Sequence, residues 1–162
     1  MHLQTAAIAS CRMALKVDQM PPRSRPWPRL PKPWAGPVNA RTTPASTRAA
    51  TRAAAARGPL VLAGSRLGAY IAGRVSLEVP VLGLFLMAPP ISMGPLQELD
   101  ASPVSVSIIH GWDDELIPAQ HVVDWATPRR ARLLLVNDSH RLSEHVEASA
   151  EAFAALLKEV QP

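Results

Sequence analysis

The feature that most constrains the fold is a set of four short apolar runs in the second part of the chain, separated by segments with helical patterning. Most positions in each run are apolar, and the runs at residues 59–63 and 81–87 are continuous, which is typical of strands buried on both faces of a sheet. Strands that alternate with helices predict βαβ units and therefore a parallel sheet. We expect strands at residues 59–63, 81–87, 105–109 and 132–136, and helices at residues 69–76, 118–126 and 142–160.

The first third of the chain has a different composition. Residues 1–58 contain ten Lys and Arg and one acid, for a net charge of +9, whereas residues 59–162 carry −5 and the whole chain +4. Residues 19–57 contain eight prolines, each of which removes a backbone donor and fixes φ, and they show no apolar periodicity. The sequence therefore predicts a disordered basic segment over residues 1–57 and a folded unit over residues 58–162.

A binding role for the basic segment is the alternative to a passive linker. Its Lys and Arg side chains attract phosphate, and Trp27 and Trp34 are able to stack on bases. No recognised nucleic-acid-binding motif accompanies them, so nucleic acid is the less favoured partner.

The remaining composition limits the compartment. Cys11 is the single cysteine, which excludes an intrachain disulfide. The mildly apolar residues 3–10 lack the basic leader of a signal peptide, and no apolar run has the length of a membrane span. We therefore expect a cytoplasmic protein without membrane association, cofactor or metal, and the sequence leaves its oligomeric state open.

The loop after the first run of the folded unit reads Gly64-Ser65-Arg66-Leu67-Gly68. It lies where a Gly-x-Ser-x-Gly nucleophile elbow would lie, a sharp turn that presents a nucleophile at a helix N-terminus. The central residue is Arg66, which has no lone pair available for attack on a carbonyl. Ser65 is one position too early, so it is a doubtful nucleophile.

Two further loops carry an acid and a histidine. His110-Gly111-Trp112-Asp113-Asp114-Glu115-Leu116-Ile117-Pro118 follows the third run, and Asn137-Asp138-Ser139-His140 precedes the last helix. An acid such as Asp114 can fix the tautomer of a catalytic histidine such as His140 and stabilise its charged form. We expect His110 to be structural, and Asp138 and Ser139 to cap the helix that follows.

Taken in order, these three loops resemble those of small bacterial serine α/β-hydrolases of the esterase type, with little or no cap. The resemblance covers about residues 58–160 and implies the C-terminal half of a truncated, doubly wound parallel sheet. It also implies hydrolysis of an ester or acyl bond in a small-molecule substrate, with Asp114 and His140 as acid and base. A flavodoxin-like or Rossmann-like domain would share glycines after its strands but not these two motifs.

Two departures from the family indicate an impaired or inactive protein. Arg66 occupies the nucleophile position, and residues 1–57 contain no recognisable counterpart of the family's N-terminal half with its oxyanion loop. The strand at residues 60–63 would then have one unpaired edge beside an exposed apolar patch, which predicts aggregation.

A shifted reading frame is our hypothesis for the unusual first third. GC-rich coding DNA read out of frame often gives segments rich in Pro, Arg, Ala and Thr with few acids. Residues 12–24 permit codons whose shifted reading gives His-Gly-Phe-Glu-Ser-Gly-Pro-Asp-Ala-Thr-Lys-Val, which is similar to a hydrolase oxyanion loop. The chain is then a hydrolase-like protein that is impaired or inactive, a basic-tailed binding module, or a non-functional frameshifted product. An active serine hydrolase would require Ser65 to replace the elbow serine.

Overall fold

The computed structural model describes residues 4–8, of which only the backbone is considered, together with residues 59–92 and 98–161. These residues form five strands and three helices. Their order is β1 (Gln4–Ile8), β2 (Leu60–Ser65), α1 (Leu67–Ser76), β3 (Gly83–Met87), β4 (Ser105–Gly111), α2 (Ala119–Arg129), β5 (Arg132–Val136) and α3 (Val146–Val160).

All five strands belong to one parallel sheet with the order β1-β2-β3-β4-β5. The register aligns Leu62 with Leu84, Leu84 with Val106, and Ile108 with Leu133. Parallel neighbours require crossover connections, and α1 and α2 provide two of them. The predicted α/β fold with a parallel sheet is therefore confirmed.

The two faces of the sheet support separate apolar cores, because successive side chains along a strand point to opposite faces. Leu62, Leu84 and Ile108 pack with residues of α1 and α2 on one face. On the other face the core packs against α3, and the rings of Phe85 and Phe153 lie 5.1 Å apart. Helices on both faces explain why the strands are apolar at consecutive positions.

The last helix begins four residues later than predicted. Its first residue is Val146 and not Leu142, because Leu142 has φ 53°, which an α-helix cannot contain. The predicted helix cap is also wrong, since the N-cap residue is His145 and no side chain caps the helix. Asp138 and Ser139 instead belong to the loop that precedes it.

The predicted unpaired edge of the first core strand is wrong. The backbone of β1 pairs with β2 along its length, from Gln4 beside Leu60 to Ile8 beside Gly64. The predicted apolar patch is not seen either, since Val61 and Leu62 are fully buried and Leu60 nearly so. Apart from β1, the segment predicted to be disordered lies outside the described residues.

None of the helices in the described ranges is long and apolar enough to cross a membrane.

Candidate functional site

The three loops singled out in the sequence all follow strands at the same edge of the sheet. Backbone hydrogen bonds extend the ladder just past the strand ends, from Arg66 N–H to the Met87 carbonyl at 2.8 Å and from Trp112 N–H to the Val136 carbonyl at 2.8 Å. Because parallel strands present their carboxyl ends at one edge, the loops after β2, β4 and β5 gather there.

The turn between β2 and α1 depends on two glycines. A Cβ on Gly64 would lie 2.3 Å from the backbone oxygen of Gly68, so the strand and the helix approach more closely than another residue would allow. Between them, Arg66 has φ 55° and ψ −124°, a strained conformation for a residue with a side chain. Its carbonyl accepts the N–H groups of Ala69 and Tyr70, which starts the helix.

The side chains of the three residues at this turn differ in their exposure to solvent. Arg66 is exposed, and it forms no ion pair with any other residue in the described ranges. Ser65 is the last residue of β2, aligned with Met87, and is partly buried. Leu67, the first residue of α1, is half exposed.

Asp114 is held firmly within the acid loop. Its Oδ1 accepts the backbone N–H groups of Leu116 at 2.9 Å and of Ile117 at 2.8 Å. The whole side chain is inaccessible to solvent. Two donors on one oxygen leave Oδ2 oriented toward the neighbouring loop.

Asp114 and His140 form a direct hydrogen-bonded pair. The distance from His140 Nδ1 to Asp114 Oδ2 is 2.8 Å, and the His140 side chain retains 11 % of its exposure. A carboxylate accepts only, so Nδ1 donates and the neutral ring carries its free lone pair on Nε2. Such a ring can accept a proton at Nε2 while the carboxylate stabilises the resulting charge.

The acid loop and the histidine loop are fixed to each other by backbone contacts. A Cβ on Gly111 would lie 2.2 Å from the Asp138 carbonyl oxygen, and that same oxygen accepts the Asp113 N–H at 3.2 Å. The glycine in the His-Gly motif therefore permits the close approach that brings Asp114 to His140.

Asp114 is ionised over the whole physiological range. Burial alone would raise the pKa of its carboxyl, but the hydrogen bonds from His140, Ile117 and Leu116 outweigh burial and hold the pKa below its ordinary value. The carboxylate is therefore always available to orient His140.

His110 has the structural position that the sequence predicts. Its Nε2 donates to the Ile117 carbonyl at 2.9 Å and lies 3.6 Å from Asp114 Oδ2, while its Nδ1 is buried without a partner among the described residues. Burial lowers the pKa of this histidine, so the ring is neutral.

Sequence reasoning missed the pairing of Asp138 with His145. Asp138 Oδ2 lies 3.2 Å from His145 Nδ1 and 3.0 Å from the Glu144 backbone nitrogen, which closes the loop around His140. An aspartate two residues before the histidine was interpreted as a helix cap because the helix was placed too early.

Among the described residues, no group of three or more His, Cys, Asp and Glu side chains is arranged to hold a metal ion.

A protein of Xanthomonas campestris pv. campestris assigned to the α/β hydrolase superfamily matches with a TM-score of 0.69 and 58 % sequence identity, over 70 % of this chain and 67 % of that protein. The chain belongs to the α/β-hydrolase superfamily. No protein-family model and no curated protein matches the sequence.

More distant structures share the fold of this α/β-hydrolase. A serine hydrolase without a lid, also from Xanthomonas campestris, is 25 % identical with a TM-score of 0.58, over 70 % of this chain and 54 % of that one. An esterase of Pyrococcus furiosus is 13 % identical with a TM-score of 0.56, over 62 % and 54 %.

Proposed function

We propose that this chain is an α/β-hydrolase in which a site for ester or acyl hydrolysis retains its acid and base but has lost its nucleophile. It is therefore impaired or inactive as a serine hydrolase. The observation that carries the proposal is the combination of a formed Asp114–His140 pair with an arginine at the strained centre of the turn after β2.

Asp114 and His140 would act as in other acid-histidine pairs. Asp114 orients the ring through Nδ1, and His140 Nε2 takes the proton of the attacking hydroxyl and later gives it to the leaving group. The 2.8 Å contact orients the His140 ring, and the ionised carboxylate can stabilise the charge that forms on it, before any substrate binds.

Arg66 supplies no hydroxyl to that base. Its φ of 55° and ψ of −124° are those of a turn that projects its central residue outward, and its side chain is exposed. A guanidinium remains protonated at all working pH values, so it neither attacks a carbonyl nor gives a proton to His140.

Ser65 is a poor replacement for the missing hydroxyl. It belongs to β2, where neighbouring side chains point to opposite faces of the sheet. A side chain one position before the turn is thus directed away from the place that residue 66 occupies, so we expect no nucleophilic role for Ser65.

The proposed substrate class is a small ester. A lidless serine hydrolase and an esterase are among the proteins with a similar fold, which supports ester chemistry for the ancestral site.

Hydrolysis of p-nitrophenyl acetate by three forms of the protein tests the proposal. We expect no turnover above background by the natural protein and measurable turnover by Arg66→Ser, because that change restores a hydroxyl at the centre of the turn after β2. Adding His140→Ala to that variant removes the base, and we expect turnover to fall by about 100-fold or more.

Ser65→Ala in the natural protein is the matched control. Turnover by the natural protein that disappears in Ser65→Ala would contradict the proposal, because Ser65 would then be a working nucleophile.

A further inference from the structure

We infer that Asp138 is a positioning residue for His140, because it both closes the loop that carries the histidine and fastens that loop to the acid loop. The inference rests on the proposed function only in giving His140 a catalytic role. The hydrogen bonds of Asp138 are formed in the natural protein whether or not it is active.

The side chain of Asp138 gathers three donors from its own loop. Oδ1 accepts the Ser139 N–H at 2.7 Å, and Oδ2 accepts the Glu144 N–H at 3.0 Å and the His145 Nδ1–H at 3.2 Å. These donors lie on both sides of His140 in the sequence. The carboxylate therefore holds the two ends of the histidine loop together.

The backbone of Asp138 provides the second connection. Its carbonyl oxygen accepts the Asp113 N–H at 3.2 Å and lies against Gly111, where a Cβ would come within 2.2 Å. Asp113 directly precedes Asp114. A shift of Asp138 would therefore change the separation of His140 and Asp114.

Other contacts within the loop are weaker. The Ser139 hydroxyl accepts the Arg141 N–H at 3.4 Å, and the His140 N–H reaches the exposed carboxylate of Glu115 at 3.3 Å. Leu142 has a positive φ of 53°, so regular structure does not fix this segment. Asp138, whose side chain is only 4 % exposed, makes the strongest side-chain hydrogen bonds in the loop.

A carboxylate is needed at this position because all three partners are donors. An ionised aspartate accepts at both oxygens, whereas asparagine would place an NH₂ group against one of the donors. Burial alone would raise the pKa of Asp138, but hydrogen bonds from His145, Glu144 and Ser139 hold it below its ordinary value.

The proton on His140 Nδ1 reports this positioning directly. In the natural protein we expect a low-field proton resonance from the Nδ1–H that is bonded to Asp114. In Asp138→Asn we expect the resonance to vanish or its exchange with water to accelerate by about tenfold, as the loss of a charged hydrogen bond implies. Asp124→Asn, which alters an exposed carboxylate on α2 bonded to Gln120, should leave it unchanged.

An unchanged resonance would overturn the inference if the Asp138→Asn variant is folded. Its circular dichroism spectrum should then match that of the natural protein. If Asp138→Asn does not fold, His145→Ala decides, since it removes one of the three donors and leaves the carboxylate. Faster exchange in that variant supports positioning by Asp138, and unchanged exchange refutes it.

The resonance separates this inference from the proposed function. If the natural protein hydrolyses the ester through Ser65, the proposed function fails, while the resonance still decides the role of Asp138. If Arg66→Ser is active, adding Asp138→Asn should lower kcat by about tenfold with little change in KM, because substrate contacts are unaltered.

Discussion

At the scale of single residues, Asp114 lies between two histidines with different chemical roles. His140 contacts its Oδ2 at 2.8 Å and keeps some exposure, whereas His110 lies 3.6 Å away, fully buried, and donates to the Ile117 carbonyl. Asp114 therefore contacts one partly exposed histidine and one fully buried histidine.

The buried His110 predicts a specific pH dependence of stability. Folding holds its pKa below the usual value of 6.5, so as the pH falls from about 6.5 the unfolded chain takes up the proton first. The free energy of unfolding should therefore be fully retained above about pH 6.5 and should decline at lower pH. Urea denaturation from pH 8 to pH 5 measures this decline.

His110→Gln is the control for that series, because glutamine keeps an N–H donor for the Ile117 carbonyl and does not titrate. The variant should lose less stability over the same range than the natural protein. Equal losses in both proteins would show that His110 does not cause the decline.

The contact between Asp114 and His140 was predictable because a motif identifies each of the two residues. Asp114 and His140 lie in short patterns whose spacing is set by the turn each loop makes. The role of Asp138 was not predictable, because it depends on a loop conformation in which Leu142 has a positive φ. Nothing in the composition of residues 137–145 indicates that conformation.

At the scale of elements, α3 covers one face of the sheet through a few deeply buried side chains. Leu156 is 1 % exposed and packs in the same core as Val61 and Phe85. We expect Leu156→Ala to lower the free energy of unfolding by about 3 kcal/mol, since it leaves a cavity in a packed core. Urea denaturation would measure the loss.

Leu116→Ala provides the comparison, because Leu116 is 67 % exposed. Its effect on the free energy of unfolding should stay within about 0.5 kcal/mol. Similar losses from both substitutions would contradict the burial of α3 against the sheet.

Elements with strong apolar patterning were predictable, and weakly patterned ones were not. The fourth predicted strand has the bounds of β5, Arg132–Val136, because charge and turn residues delimit it. β1 was missed because Gln-Thr-Ala-Ala-Ile has little apolar periodicity, and its place beside β2 is set by the sheet. A sequence this short contains no pattern from which pairing with a distant strand could be predicted.

At the scale of the whole molecule, β1 protects the edge of β2. β2 is apolar, and without its neighbour it would expose unpaired backbone groups. We expect deletion of residues 1–10 to increase aggregation of the purified protein, measured by light scattering against the full chain at equal concentration. A deletion variant that stays as dispersed as the full chain would contradict this role for β1.

A shifted reading frame is our hypothesis for the origin of residues 12–42. The α/β-hydrolase from Xanthomonas campestris is matched over 67 % of its length, which leaves a part of that protein without a counterpart here. We expect the DNA that encodes residues 12–42 to contain a hydrolase-like sequence in a shifted frame. Sequencing of the locus decides this, and a locus without such a frame refutes the hypothesis.

The most direct test of the central claim is covalent labelling of the natural protein with a fluorophosphonate probe, followed by mass spectrometry to locate the modified residue. The probe reacts with a serine that a neighbouring histidine activates. We predict no labelling of the natural protein and labelling of Arg66→Ser at the new hydroxyl. Labelling of the natural protein at Ser65 would contradict the claim that the nucleophile is lost.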